Sequence, residues 1–184
     1  RKEMYEDAER CLSYFSAKDP DSKRKLATMY YGKGQYEEAY KTLEAEVLAN
    51  YQTMSVMLLE IFMVAVKTEN FEKAQVIIEK ESALAELFEM GEYHKNAGKL
   101  ELAVALKDSK ETLRLLACLL STTNTVMDYT KSKLFEHMTF QEVNPALFQT
   151  LRVNTLKHFS EDDTYKFVRE SEGWEAFEKK WMTA

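Results

Sequence analysis

The sequence is poor in the residues that punctuate or staple a chain. Five glycines and two prolines in 184 residues exclude the turn-dense pattern of a sandwich or barrel. There are two cysteines, Cys11 and Cys118, and no CxxC, which excludes a disulfide scaffold and a paired-cysteine zinc site. Each cysteine lies in an apolar helical pattern and reads as a small buried hydrophobe in a reducing, cytoplasmic setting. The three histidines, His94, His137 and His158, are far apart, and Glu92 and His94 fall on different helix faces, so no metal site is expected. GxGxxG, GxSxG, HExxH and a phosphate-cradling glycine loop are all missing, which removes the common signatures of cofactor, nucleotide and hydrolytic chemistry. The acid pairs Glu37/Glu38 and Asp162/Asp163 read as solvated charge. No catalytic residue and no cofactor are expected, and the chain reads as a non-enzyme.

Positive charge is also short. Lys and Arg total 25 against 31 Asp and Glu, a net charge of −6. Such a surface repels a phosphate backbone, so the chain by itself is not a nucleic-acid reader. The longest apolar run, VMLLEIFMVAV at 56–66, is about half a membrane-spanning length and carries Glu60, so no membrane role is expected. Arg1 is not an initiator methionine, and no secretory leader pattern follows. A piece of a longer protein is the expectation.

What is abundant is the helix-forming alphabet, with apolar residues spaced by three and four. This predicts an all-α chain with helices near 3–16, 20–33, 36–49, 53–68, 71–80, 82–96, 99–107, 109–121, 145–159, 161–170 and 172–182. Asp19-Pro20 and Asn144-Pro145 read as helix starts. Asp108 with Glu111 reads as a capping box, and Ser160 and Ser171 as later caps. The stretch 121–144, with STTNT and a short helical piece near 132–137, reads as a connection. It divides a repetitive front, 1–120, from a non-repetitive C-terminal extension, 121–184, within one compact unit.

The repetition lies in four tetrapeptides: YEDA at Tyr5, YEEA at Tyr36, FEKA at Phe71 and LELA at Leu100. Each sets Ala three residues after a large apolar residue. A small side chain there lets two helices approach, and the larger residue fills the gap near the turn. Spacings of 31, 35 and 29 residues suit stacked helical hairpins, since one hairpin cannot bury its own apolar face. A generic bundle with coincidental matches is the competing reading.

LATMYYGKGQYEEAYKTL resembles a tetratricopeptide (TPR) repeat through Leu26, Ala27, Tyr30, Gly34, Tyr36, Ala39 and Leu43. IFMVAVKTENFEKAQVII keeps Ile61, Phe71, Ala74 and Ile78, with Phe62 for the usual small residue and Glu69 for the turn glycine. A third copy has Gly91, Gly98, Leu100 and Ala103. Neither better copy has the closing Ala or Pro, so the chain is TPR-like, an α-solenoid without a regular array. SALAELFEMGEYHKNAGKLELAVALKDSKETLRLL, KSKLFEHMTF and FSEDDTYKFVRESEGWEAF together resemble the C-terminal helical region of bacterial Cro/cI-type (XRE-family) helix-turn-helix transcription regulators. The resemblance covers roughly residues 5–178. It implies a DNA-binding domain upstream of Arg1, and a regulatory, ligand-sensing, dimerising role for this part.

The TPR resemblance also implies a concave groove. Its lining would be Arg24, Thr28 and Tyr31, then Leu59, Met63 and Val66, then Phe88, Glu92 and Lys95. Leu59 and Met63 occupy two positions of the basic–asparagine clamp that some TPR adaptors use, so an apolar or mixed ligand such as a peptide is expected rather than an acidic tail. Either the later helices of the chain or a partner must cover the apolar middle helix. Trp174, Phe177 and Trp181 form one helical stripe, expected to bury against the preceding helices or in a homodimer. A free-standing TPR adaptor without a transcription role is the rival reading.

Overall fold

A computed structural model of the protein describes Met4, Asp7, Arg10, Cys11 and residues 21–182. Among these residues every regular element is helical. The α-helices are α1 (Ser22–Lys33), α2 (Tyr36–Lys67), α3 (Phe71–Leu87), α4 (Glu92–Ala105), α5 (Ser109–Ser121), α6 (Ala146–Glu161), α7 (Lys166–Arg169) and α8 (Trp174–Met182). Three 3-10 turns, Thr123–Thr125, Asp128–Lys131 and Lys133–Phe135, fill the stretch read as a connection. The starts expected at 3 and at Asp19-Pro20, and the Tyr5 tetrapeptide, lie outside the described residues.

One device makes the four turns that join α1 through α5. A residue in the left-handed region ends each helix: Gly34 (φ 75°), Glu69 (56°), Glu89 (54°) and Lys107 (56°). In each, the next amide reaches back five residues: Gln35 to Tyr30, Asn70 to Ala65, Met90 to Ala85 and Asp108 to Ala103. These are Schellman closures, which satisfy carbonyls the helix end leaves open. Glu69, which stands where a turn glycine was looked for, adopts the glycine conformation. Asn70 and Asp108 then cap α3 and α5, accepting from the amides of Lys73 and Glu111 at 3.0 and 2.9 Å. Glu111 does not complete a capping box, because its carboxylate is spent on Arg114. Ser160 and Ser171 do not cap either. Their hydroxyls donate back to Leu156 and Val168, and Asp162 takes the cap, accepting from the Thr164 amide.

Helix boundaries differ from expectation at four places. Residues 36–67 are one helix, not two, no break occurs near 81 or 97, and the helix expected over 82–96 is interrupted between Leu87 and Glu92. The tetrapeptide alanines Ala39, Ala74 and Ala103 are all buried, as close helix packing requires. The large residues behave differently. Leu100 is buried, but Tyr36 and Phe71 are exposed at the first position of their helices. Leu100 sits inside α4, so the LELA copy does not open a helix. Cys11 is exposed and Cys118 half-buried, which corrects the reading of both as buried.

The chain forms two compact units, each built from two segments. One comprises Arg1–Met54 and Thr130–Phe140, the other Ser55–Tyr129 and Gln141–Ala184. The first buries Ala27, Met29, Ala39, Leu48, Tyr51 and Phe135. In the second, α4 packs on both α3 and α5. Its larger core joins Leu100, Ala103 and Val104 of α4 to Leu115, Leu116, Leu119 and Leu120 of α5. Leu156 and Phe159 of α6, Val168, Trp174 and Phe177 complete that core. A second cluster packs Phe62 and Ala65 of α2 on Ala74, Ile77 and Ile78 of α3. The opening of α4 docks on residues 122–126: the Tyr93 amide donates to Thr125 Oγ1 at 3.0 Å, and His94 Nε2 lies 3.0 Å from the Val126 carbonyl.

Candidate functional site: the outer face of α2

Between Leu48 and Val66, the only charged residue of α2 is Glu60. From residue 55 onward the helix belongs to the second unit, and one side of it is spoken for. At 100° per residue, Leu58, Phe62, Ala65 and Val66 share the side that meets α3. Ser55 is on that side too, donating to Glu81 Oε1 at 3.4 Å. The remaining arc carries Val56, Met57, Leu59, Ile61, Met63 and Val64, each at least 43 % exposed. With an ordinary side-chain area of ~180 Å² apiece, these six expose roughly 600 Å², at the top of what a monomer leaves to water. Glu60 lies near the middle of the arc, and Lys67, two turns on, lies almost directly in line with it.

The nine residues of the expected groove have separate fates. Leu59 and Met63 are exposed, whereas Val66 is half-buried in the α2–α3 cluster. Arg24, Thr28 and Tyr31 are exposed on α1, in the first unit. Thr28 bonds back to the Arg24 carbonyl, Arg24 lies 3.4 Å from Asp21, and the Tyr31 ring meets Tyr36 edge-on. Phe88, Glu92 and Lys95 do not form a stripe on one helix, which corrects that part of the groove. Phe88 caps the end of α3 and Glu92 opens α4, because Glu89 and Gly91 turn the chain between them. Lys95 instead bridges Glu92 at 3.0 Å and Glu86 at 3.3 Å. Its ammonium holds the Glu92 carboxyl below the usual range.

The C-terminal stripe faces inward. Trp174 and Phe177 are 7 % and 8 % exposed within the large core, so they are not available to a second subunit. Trp181 is half-buried beside that core, with the Arg152 guanidinium 4.8 Å from its ring. Among the described residues no three His, Cys, Asp or Glu side chains gather as a metal set. A cleft of about 300 Å³ beside Arg152 and Trp181 is lined also by Gln149, Lys157, Ser160 and Glu161.

The sequence marks this helix as apolar nearly all round, with part of its surface uncovered and Leu59 and Met63 on that part; Val56, Met57, Ile61 and Val64 are exposed beside them. By length and composition α2 is also long and apolar enough to cross a membrane, which the shorter run at 56–66 did not suggest. Comparison with known proteins finds no matching family model, no matching characterised protein and no matching solved structure.

Proposed function

We propose that this chain is a non-enzymatic, TPR-like interaction module that self-associates through the outer face of α2, as the regulatory and dimerising part of a bacterial transcription regulator. The observation that carries the reading is the apolar arc from Val56 to Val64. Leaving roughly 600 Å² of apolar side chain in water costs on the order of 15 kcal/mol relative to covering it, so a cover is strongly favoured. A standard interface takes about 800 Å² from each partner, and this face supplies most of that.

The pattern of charge favours a second copy as the cover. Glu60 and Lys67 stand seven residues apart on one line of the helix, about 10 Å along its axis. If two α2 helices lie antiparallel about the Met63–Val64 midpoint, each Glu60 meets the Lys67 of the other copy. Met63 and Val64 then fill the space between these pairs, and Met57 lies beyond them. An isologous two-fold contact of this kind is the commonest way a chain pairs with itself.

A bilayer suits the face less well. The other side of α2 is packed on α3, which carries Glu72, Lys73, Gln75, Glu79 and Lys80 at its surface. Burying α2 in lipid would either take those charges with it or break the Phe62–Ala74–Ile77 packing. The four Schellman-closed turns support the stacked-hairpin part of the reading. They suit a free-standing adaptor equally well, and a basic helix-turn-helix encoded before Arg1 distinguishes the regulator. The experiment on the face itself is sedimentation velocity of the protein beside Val64→Glu. Dimer in the first and monomer in the second supports the reading, and a monomeric parent chain contradicts it.

A further inference from the structure

In the first unit a short segment returns from far along the sequence, and the Glu44 side chain of α2 holds it. Glu44 of α2 is 8 % exposed. Its Oε2 accepts the backbone amide of His137 at 2.9 Å, and its Oε1 lies 2.5 Å from His137 Nδ1. The imidazole stacks on Tyr40, one turn back on α2, with ring centroids 4.2 Å apart and planes 4° from parallel. The two fastened residues are 93 positions apart. The chain reaches this unit at Thr130 and leaves it after Phe140, so the fastening lies near the exit. Phe135, 1 % exposed, anchors the segment just before it.

We infer that His137 and Glu44 form a proton-operated clasp on the 130–140 segment, closed on α2 when the imidazole is cationic and loosened when it is neutral. The geometry requires a donor at Nδ1, since a bare nitrogen lone pair there would face a carboxylate oxygen at contact distance. The cation always supplies that donor and adds charge to the bond. The neutral ring supplies it only in one of its two tautomers, and the bond that remains is weaker.

The charged groups facing the ring all favour its cation. They are Glu44 and Glu37 on α2 and Glu136 on the segment itself, and the Glu44 hydrogen bond holds the His137 imidazolium above the ordinary histidine value, against the effect of burial. A group raised in the folded state contributes fully below its ordinary value, here 6.5. That contribution disappears as pH rises through the folded value. The clasp is therefore tight in mild acid and loosens towards and above neutrality. Because Phe135 stays buried on its own account, loosening is confined to the residues that follow it.

The His137 amide reads the clasp directly, because its partner is the carboxylate itself. Amide exchange of the intact protein, followed by NMR and corrected for the intrinsic rate, should show His137 protection falling roughly threefold or more from mildly acidic to mildly alkaline pH. The Phe135 amide, bonded to the Ser132 carbonyl, serves as the internal reference and should not change. Glu44→Gln should abolish the pH dependence and lower the midpoint of the His137 ring titration. The inference is overturned by constant His137 protection, by an equal fall at Phe135 and Phe159, or by pH dependence that survives in Glu44→Gln. If that variant does not fold, the parent chain still decides: a ring midpoint at or below 6.5 overturns the clasp, and one above it with the stated loss of protection supports it.

Discussion

Glu81 lies on the bare backbone of Gly98: a Cβ at Gly98 would come within 3.0 Å of Glu81 Oε2. Glycine at this point of α4 lets a carboxylate side chain settle between α3 and α4. The position is poor for a charge. Oε2 is buried and has no hydrogen-bond partner among the described residues, and Oε1 has only the 3.4 Å contact from Ser55. Burial pushes the carboxyl up, with the Ser55 hydroxyl and Lys99 opposing. A carboxyl raised in the folded state favours the native protein when protonated, and that advantage is lost as pH rises from 4.5 through the folded value. Glu81→Gln should therefore add on the order of 1 kcal/mol at neutral pH and little near pH 4. Urea denaturation at the two pH values measures it.

The turns offer a prediction of opposite character. Glu69, Glu89 and Lys107 each hold a side chain in the left-handed region, at about 1 kcal/mol apiece relative to glycine. Replacing any one with Gly should raise stability by up to that amount, less the added freedom of the unfolded chain. Gly91 behaves otherwise. A Cβ there would collide with the Thr125 carbonyl oxygen, and its φ of 92° disfavours any side chain. Gly91→Ala should cost several kcal/mol, on the order of a core truncation, seen as a fall in melting temperature.

Trp174 separates stability from association. It lies in the intramolecular core, its ring 5.7 Å from that of Phe177. Trp174→Ala should cost roughly 3–5 kcal/mol, with the sedimentation coefficient of the folded fraction unchanged. A shift to monomer at unchanged stability would place the ring at a subunit contact.

The apolar length of α2 gives a further outcome. With α3 packed on it and a net charge of −6, the protein should not float with anionic or neutral phospholipid vesicles. Flotation that Val64→Glu abolishes would make the outer face of α2 a lipid surface.

The all-α character and several helix ends were legible because spacing and capping are local. The unbroken α2 was not. Asn50 and Thr53 are weak helix formers, yet they turn their side chains back to the Glu46 and Ala49 carbonyls and the helix continues. Nor was the turn at 89, which uses Glu where glycine would have announced it, whereas the turn at 107 was legible through its Asp108 cap. Gly98 misled in the reverse direction, since it serves helix packing and not a turn. Leu59 and Met63 were legible as uncovered positions because α2 has more apolar residues than one packed side can use. The Glu44–His137 contact could not be read, because no local pattern links residues 93 apart.

Pairing through α2 is decided by a charge-reversal set under sedimentation velocity. The protein, Glu60→Lys, Lys67→Glu and the double reversal are compared at high micromolar concentration. Each single change sets like charges opposite one another across the two-fold, and should weaken the dimer roughly tenfold or more. The double change restores opposite charges and should recover most of the affinity. A parent protein that stays monomeric, or a double reversal no better than either single one, would contradict the account.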